Sequence, residues 1–163
     1  MLTVFISSSS LARPSAKASH IAEREPGAWV LAADTLVFLD GLILGKPRDA
    51  ADAAAMLRRL SGREHRVVTA VHLARGSAPG MGHVELSRVR FAPMDEAEIA
   101  WYAGTGEPAD KAGAYGVQGL GARFIEEIHG SFTNVMGLPA RAVYRLLRAA
   151  PDPALASLAL SSG

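Results

Sequence analysis

The residues of this chain best suited to chemistry are an aspartate beside a threonine and a lysine one hairpin away. They are Asp34, Thr35 and Lys46, in the run WVLAADTLVFLDGLILGKP from Trp29 to Pro47. Asp40-Gly41 stands between two apolar, β-favouring runs, a strong signal for a two-residue hairpin turn. A turn there sets the register. Leu39 faces Leu42, Phe38 faces Ile43, Val37 faces Leu44, Leu36 faces Gly45 and Thr35 faces Lys46. The carboxylate and the ammonium then meet at the open end of the hairpin, beside a hydroxyl. Such a pair suits a general base and an anion clamp. The plainer alternative is a strand-end salt bridge. Side chains alternate along a strand, so Lys46 shares a face with Thr35 while Asp34 points away. A bulge near Asp34 is needed to bring all three together.

A second constellation lies in Gly106–Gly121, GEPADKAGAYGVQGLG. A long glycine-dense loop inside a compact domain suits a ligand, because glycine lets backbone approach it closely. Tyr115 offers a stacking face and Gln118 an amide that reads a base edge. The alternative is a tight connector with the tyrosine in the core. Ser131, Thr133 and Asn134 precede a helix, where they act as anion contacts or as caps.

These residues must be held by regular elements. Residues 2–6 read as a strand and 11–25 as a loose helix carrying Lys17 and His20, with Pro14 in its first turn. The Trp29–Pro47 strand pair follows. Asp49 caps a helix whose buried side is Ala53, Met56, Leu57 and Leu60, with Gly62 closing it. Residues 65–74 and 84–91 read as a hairpin around a turn at 76–82. The apolar phase slips between Leu86 and Val89, which suggests a bulge or an edge. Asp95 and Glu98 form a capping box for a helix ending at Gly104. A strand at 123–128 and a helix from Pro139 to about Ala149 complete a domain over residues 1–150. The tail 151–163 reads as loosely attached.

The 163 residues suit one domain with a real core. Net charge is +1, too weak a field to imply nucleic-acid or membrane-surface binding. The chain has no cysteine, which excludes disulfides, a thiol nucleophile and a thiolate metal site. No apolar run approaches a membrane span, and the start has no signal-peptide pattern. A cytoplasmic protein is therefore expected. There is no nucleophile elbow, no zinc helix, no Rossmann fingerprint and no ligand spacing among the histidines. The residues alone imply an α/β domain with an acid/lysine strand-end site and a glycine-rich ligand loop for an anionic small molecule.

The run Ala33-Asp34-Thr35, then Asp40-Gly41, Leu44-Gly45-Lys46-Pro47 and Leu60-Ser61-Gly62-Arg63 resembles the Maf family of nucleoside triphosphate pyrophosphatases. So do Gly106-Glu107-Pro108, Asp110–Gly116, Gln118-Gly119 and Gly137-Leu138-Pro139, in the family's order and spacing. The resemblance covers about Leu11 to Arg148. It implies a mixed, twisted α/β sheet with flanking helices and two lobes around a cleft, as in the inosine triphosphate pyrophosphatases. It also implies cleavage of a nucleoside triphosphate between the α- and β-phosphates, with a divalent cation (Mg²⁺ or Mn²⁺) and a homodimer. Asp34 is then the proton acceptor, and Lys46 and Lys17 neutralise phosphate charge. Thr35 and Gln118 match the dTTP/UTP-preferring branch, and Asp110, Lys111 and Tyr115 fall on a possible cleft wall. The metal ligands are not implied by any matched motif.

The sequence departs from the family at its start. Members carry Ser-x-Ser-Pro-Arg-Arg after the first strand, and its arginines bind the triphosphate. Here Ile6-Ser7-Ser8-Ser9-Ser10 has no Pro-Arg-Arg after it, and the segment leading to the Lys17 helix is missing. This departure implies an alternative: a catalytically impaired nucleotide-binding or regulatory protein linked to cell division arrest. A shortened, unstable gene product is the third reading.

Overall fold

A computed structural model describes residues 1–7, 14–25 and 27–158. Of residues 7, 14, 17 and 158 it gives the backbone alone. The frame is a mixed six-stranded sheet. Its strands are β1 (Leu2–Ser7), β2 (Trp29–Leu39), β3 (Leu42–Leu44), β4 (Glu64–Arg75), β5 (Met81–Phe91) and β6 (Ile125–His129). The order is β1-β2-β4-β5-β6, with β3 paired to β2. β1 runs parallel to β2 and every other pair is antiparallel. β1 and β3 occupy the same edge of β2, because β4 takes the other edge along its whole length.

The helices divide between the two faces. Helix α1 (Pro14–Arg24) packs Ala18 and Ala22 on Val30 and Ala32 of β2 and Ala74 of β4. On the opposite face, α2 (Ala50–Leu60) and α3 (Glu96–Gly104) cover Val37 and Leu39. Helices α5 (Ala140–Ala149) and α6 (Pro153–Leu158) cover Trp29, Leu31 and Ala33. Local chemistry sets these boundaries. Asp49 accepts from the Asp52 N–H at 2.8 Å, and Asp95 and Glu98 form both bonds of a capping box. Among the described residues no helix is long and apolar enough to cross a membrane.

Several expectations need correction. The hairpin pairs Leu39 with Leu42, Phe38 with Ile43 and Val37 with Leu44, and there it stops. Thr35 does not face Lys46. The chain leaves the sheet at Gly45, whose carbonyl accepts the Gly113 N–H at 3.0 Å, and the buried Pro47 has no N–H to continue a ladder. The expected bulge at Asp34 is also absent, since β2 and β4 pair without interruption from Trp29 to Phe38. Nor is there a bulge between Leu86 and Val89 of β5 where it meets β4. The slip in apolar phase has another cause: Ser87 is fully buried in place of an apolar residue, while Leu86 lies 50% exposed on the open face. The register shift lies between Arg90 and Phe91, against β6. β5 begins at Met81, and Leu120–Phe124 is a 3-10 turn rather than the start of β6. The tail is tied down as far as it is described. Leu155 is buried, and Asp152 accepts from the Trp29 indole and the Arg75 guanidinium, each at 2.9 Å.

A polar row separates the two apolar clusters on the covered face. Thr35 and Thr69 share a hydrogen bond of 2.9 Å, and Thr69 donates to the Asn134 carbonyl at 3.2 Å. Asn134 belongs to the short helix α4 (Phe132–Val135) and has no exposed surface. Its amide donates to the Val67 carbonyl at 3.1 Å and to Ser87 Oγ at 2.9 Å. Removing a buried donor leaves its acceptors unpaired, which costs about 1–3 kcal/mol. Asn134→Ala is therefore expected to lower stability by about 2 kcal/mol. The check is a lower urea midpoint with unchanged slope.

Candidate active site

A cavity of about 420 Å³ opens beside this polar row. Its floor is the sheet: Thr35 and Val37 from β2, Val67 from β4 and Ile6 from β1. One wall is the segment from Glu107 to Gly119, and the other is the end of α4 with Val135, Met136 and Gly137. Gly137 ends α4 with φ 105°, a conformation that L side chains rarely adopt. Its carbonyl faces the Thr35 hydroxyl at 3.5 Å.

The glycine-dense wall is not a loose loop. It folds into successive 3-10 turns, Glu107–Asp110, Ala112–Ala114 and Leu120–Phe124. Gly113 has φ 73°, and a Cβ there would stand 3.1 Å from a Val37 methyl. A side chain there would strain the left-handed backbone and force the Val37 side chain to give way, so glycine suits the turn that presses onto β2. Tyr115 is 6% exposed and packs edge-on against Phe91 and His65. It also lines the cavity together with Asp110 and Lys111, as a cleft-wall residue would, while its hydroxyl bonds His65 Nε2 at 2.8 Å.

Lys111 and Asp110 form an ion pair of 2.7 Å on the cavity lining. The Lys111 hydrogen bond and charge hold the Asp110 carboxyl below its ordinary range, with a smaller contribution from Lys46. Lys46 is exposed and lies within electrostatic reach of this rim, although it is not part of the lining. Gln118 does line the cavity, and its amide donates to Met136 Sδ at 3.1 Å. Ser131 serves as the α4 cap, accepting from the Asn134 N–H at 3.2 Å, and Thr133 accepts from the Ala140 N–H at 3.0 Å. These are the capping roles, and Asn134 is an internal brace.

Asp34 is 6% exposed and projects to the α1 face with Ala32 and Val30, opposite Thr35. It does not line the cavity. The β1 ladder ends at the Ser7–Asp34 pair and the β3 ladder begins at Val37, so Thr35 and Leu36 have no strand neighbour on that edge among the described residues. The Asp34 and Thr35 side chains flank this gap. Lys17 lies on α1, and its side chain is outside what is described.

A caged metal does not fit the described residues. No group of three or more His, Cys, Asp or Glu among them is arranged to hold one. Glu107 is saturated by three donors: Tyr102 Oη at 2.7 Å, Leu120 N–H at 2.7 Å and Gly121 N–H at 3.0 Å. Burial would raise its carboxyl, but these donors and the Lys111 charge outweigh it and hold the group below its ordinary range. No local sequence pattern marks the bonding roles of Glu107, Tyr102 and His65, and Asn134, expected as an anion contact or a cap, is a buried brace instead. The glutamate directly ahead of a glycine-dense run was the available signal for Glu107.

The sequence model described as Maf-like protein matches residues 7–150. The chain belongs to the Maf family. A protein from Symbiobacterium thermophilum is 52% identical over 131 residues, 80% of this chain and 67% of that one. One from Aromatoleum aromaticum is 58% identical over 118 residues, 72% and 57% of the two chains. One from Thermus thermophilus is 49% identical over 138 residues, 82% and 73%. All three are called dTTP/UTP pyrophosphatase. Against Maf relatives of that length, the matched part of this chain spans between 57% and 73%.

His65 gives this Maf domain a distinct acid response. It is 2% exposed, and burial pushes its imidazole down from 6.5 to about 4. The unfolded chain takes up this proton first, so the folded form is favoured fully above pH 6.5 and loses ground as pH falls from there toward 4. The whole shift corresponds to about 3 kcal/mol. A His65→Leu variant, with Tyr115→Phe to spare the hydroxyl, is expected to lose this part of the pH dependence. Urea midpoints between pH 7 and pH 4 would show it.

Proposed function

We propose that this chain hydrolyses dTTP and UTP to the nucleoside monophosphate and pyrophosphate. One observation carries the reading: Thr35 and Gln118 stand on the same cavity, on the sheet floor and the glycine wall. A hydroxyl on the floor and an amide on the wall suit a pyrimidine base bearing carbonyl and N–H groups. The 52% identity to a protein named for these two substrates supports the same reading.

In this proposal the base enters beside Gln118 and the triphosphate runs toward the edge of β2 at Thr35 and Leu36. Asp34 flanks that edge and accepts the proton of the attacking water. Lys46, exposed at the rim, and Lys17 on α1 offset the charge that builds on the phosphates. The divalent cation implied by the family, Mg²⁺ or Mn²⁺, would arrive on the phosphates and supply further charge neutralisation, with few protein oxygens. The reading includes a homodimer, which sedimentation would test.

Pyrophosphate release from dTTP is the test. The expected result is turnover by the parent chain and a loss of at least about 100-fold in Asp34→Asn, with KM little changed. Equal rates for the two would remove Asp34 from the mechanism. Binding of dTTP without turnover by the parent would select the nucleotide-binding alternative.

A further inference from the structure

Two carboxylates line the cavity, and they are used differently. Asp110 is exposed and paired with Lys111. Glu107 turns inward and fastens the wall. Its Oε2 accepts the Leu120 N–H, and its Oε1 accepts the Gly121 N–H and the Tyr102 hydroxyl. The Tyr102 oxygen in turn accepts the Gly116 N–H at 3.0 Å. Both ends of the 116–121 segment therefore hang on one carboxylate. Gly116 is held through the tyrosine, and Leu120 and Gly121 are held directly. Between them Val117, Gln118 and Gly119 form the stretch that lines the cavity.

The glycines of this segment serve space rather than backbone freedom. None of Gly116, Gly119 and Gly121 has a left-handed φ. A Cβ at Gly119 would overlap Glu107 Oε2, and one at Gly121 would overlap the Tyr102 hydroxyl. At Gly116 it would stand 2.9 Å from Lys111 Cε and 3.1 Å from Glu107 Oε1. The backbone is thus drawn at its glycines against Glu107 itself or against the Tyr102 and Lys111 side chains around it. Among the described residues Gln118, at the middle of the fastened span, donates to a thioether, a weak acceptor that a ligand carbonyl can replace.

We propose that Glu107 is the positioning residue for nucleobase selection: it fixes Gln118 against the bound base and plays no part at the phosphates. This rests on the dTTP/UTP reading of the same cavity. A Gln118 held by both flanks loses little freedom on binding, so the amide discriminates between bases without an ordering cost.

Glu107→Gln is the test. The amide nitrogen that replaces one oxygen cannot accept, so at least one fastening bond becomes a donor facing a donor. Steady-state pyrophosphate release from dTTP and dCTP would be compared between parent and variant. The expected result is a KM for dTTP raised about tenfold, kcat within about twofold, and the dTTP:dCTP preference reduced about tenfold. Tyr102→Phe cuts only the Gly116 tie and should move the same two quantities by a smaller factor. It also serves if the glutamine variant melts below the assay temperature. A merely structural role would lower the active fraction, so kcat would fall equally for both nucleotides at unchanged KM and preference. That outcome, or no change at all, would overturn the proposal. If the parent releases pyrophosphate from no nucleotide, the functional reading falls first and this one with it. If the parent is active and both variants match it, only the role of Glu107 fails.

Discussion

The hydrogen-bonded row from Thr35 through Thr69 to Asn134 and Ser87 is the constraint on which the rest of this structure depends. A sheet face that carried only apolar side chains would draw α2, α3 and α5 into one continuous core. Threonines at matching positions of β2 and β4 prevent this, because hydroxyls away from water must find partners. They find them in each other and in α4, which is too short to be held by its own turns. The apolar residues on either side then gather into separate clusters, and the cavity opens along the seam between them. Stability and binding space are thus set by the same few polar groups.

The opposite wall obeys a related logic with the signs exchanged. The glycine-dense segment has few large side chains to bury, so it cannot be pinned by packing. It is pinned by a carboxylate that satisfies two backbone donors and a tyrosine hydroxyl at once, and charge-assisted bonds of this kind are stronger than neutral ones. The glycines let the backbone approach closely enough for those bonds to form. A firm wall and an exposed amide at its centre follow from one acidic side chain.

Much of the fold was legible in the sequence because it rests on local rules. Asp40-Gly41 turns where the dipeptide requires it, Asp95 and Glu98 cap α3, and alternating residues mark β4. The site was less legible because its geometry depends on where local order stops. Nothing in the sequence states that β3 ends at Leu44, yet that ending separates Lys46 from Thr35 and leaves Thr35 and Leu36 without a strand neighbour on that edge among the described residues. The slip in apolar phase between Leu86 and Val89 suggested a bulge or an edge, and its cause is instead Ser87, a buried partner of Asn134. Tyr115 does line the cavity, but its ring is mostly buried and its hydroxyl is bonded to His65, a partner that no local pattern reveals. Long-range partners of buried polar groups have no period by which to recognise them.

The two tryptophans have contrasting surroundings. Trp29 is 9% exposed, with its indole N–H bonded to Asp152 and the Arg75 guanidinium 5.7 Å from its ring centre. Trp101 is 45% exposed, next to Tyr102 and beneath Arg123 of the turn that closes the glycine-dense segment. A shielded indole emits at shorter wavelength than a wet one. The molecule therefore carries two optical gauges of different colour, one reading the fastening of its last helix and the other the wall of its cavity.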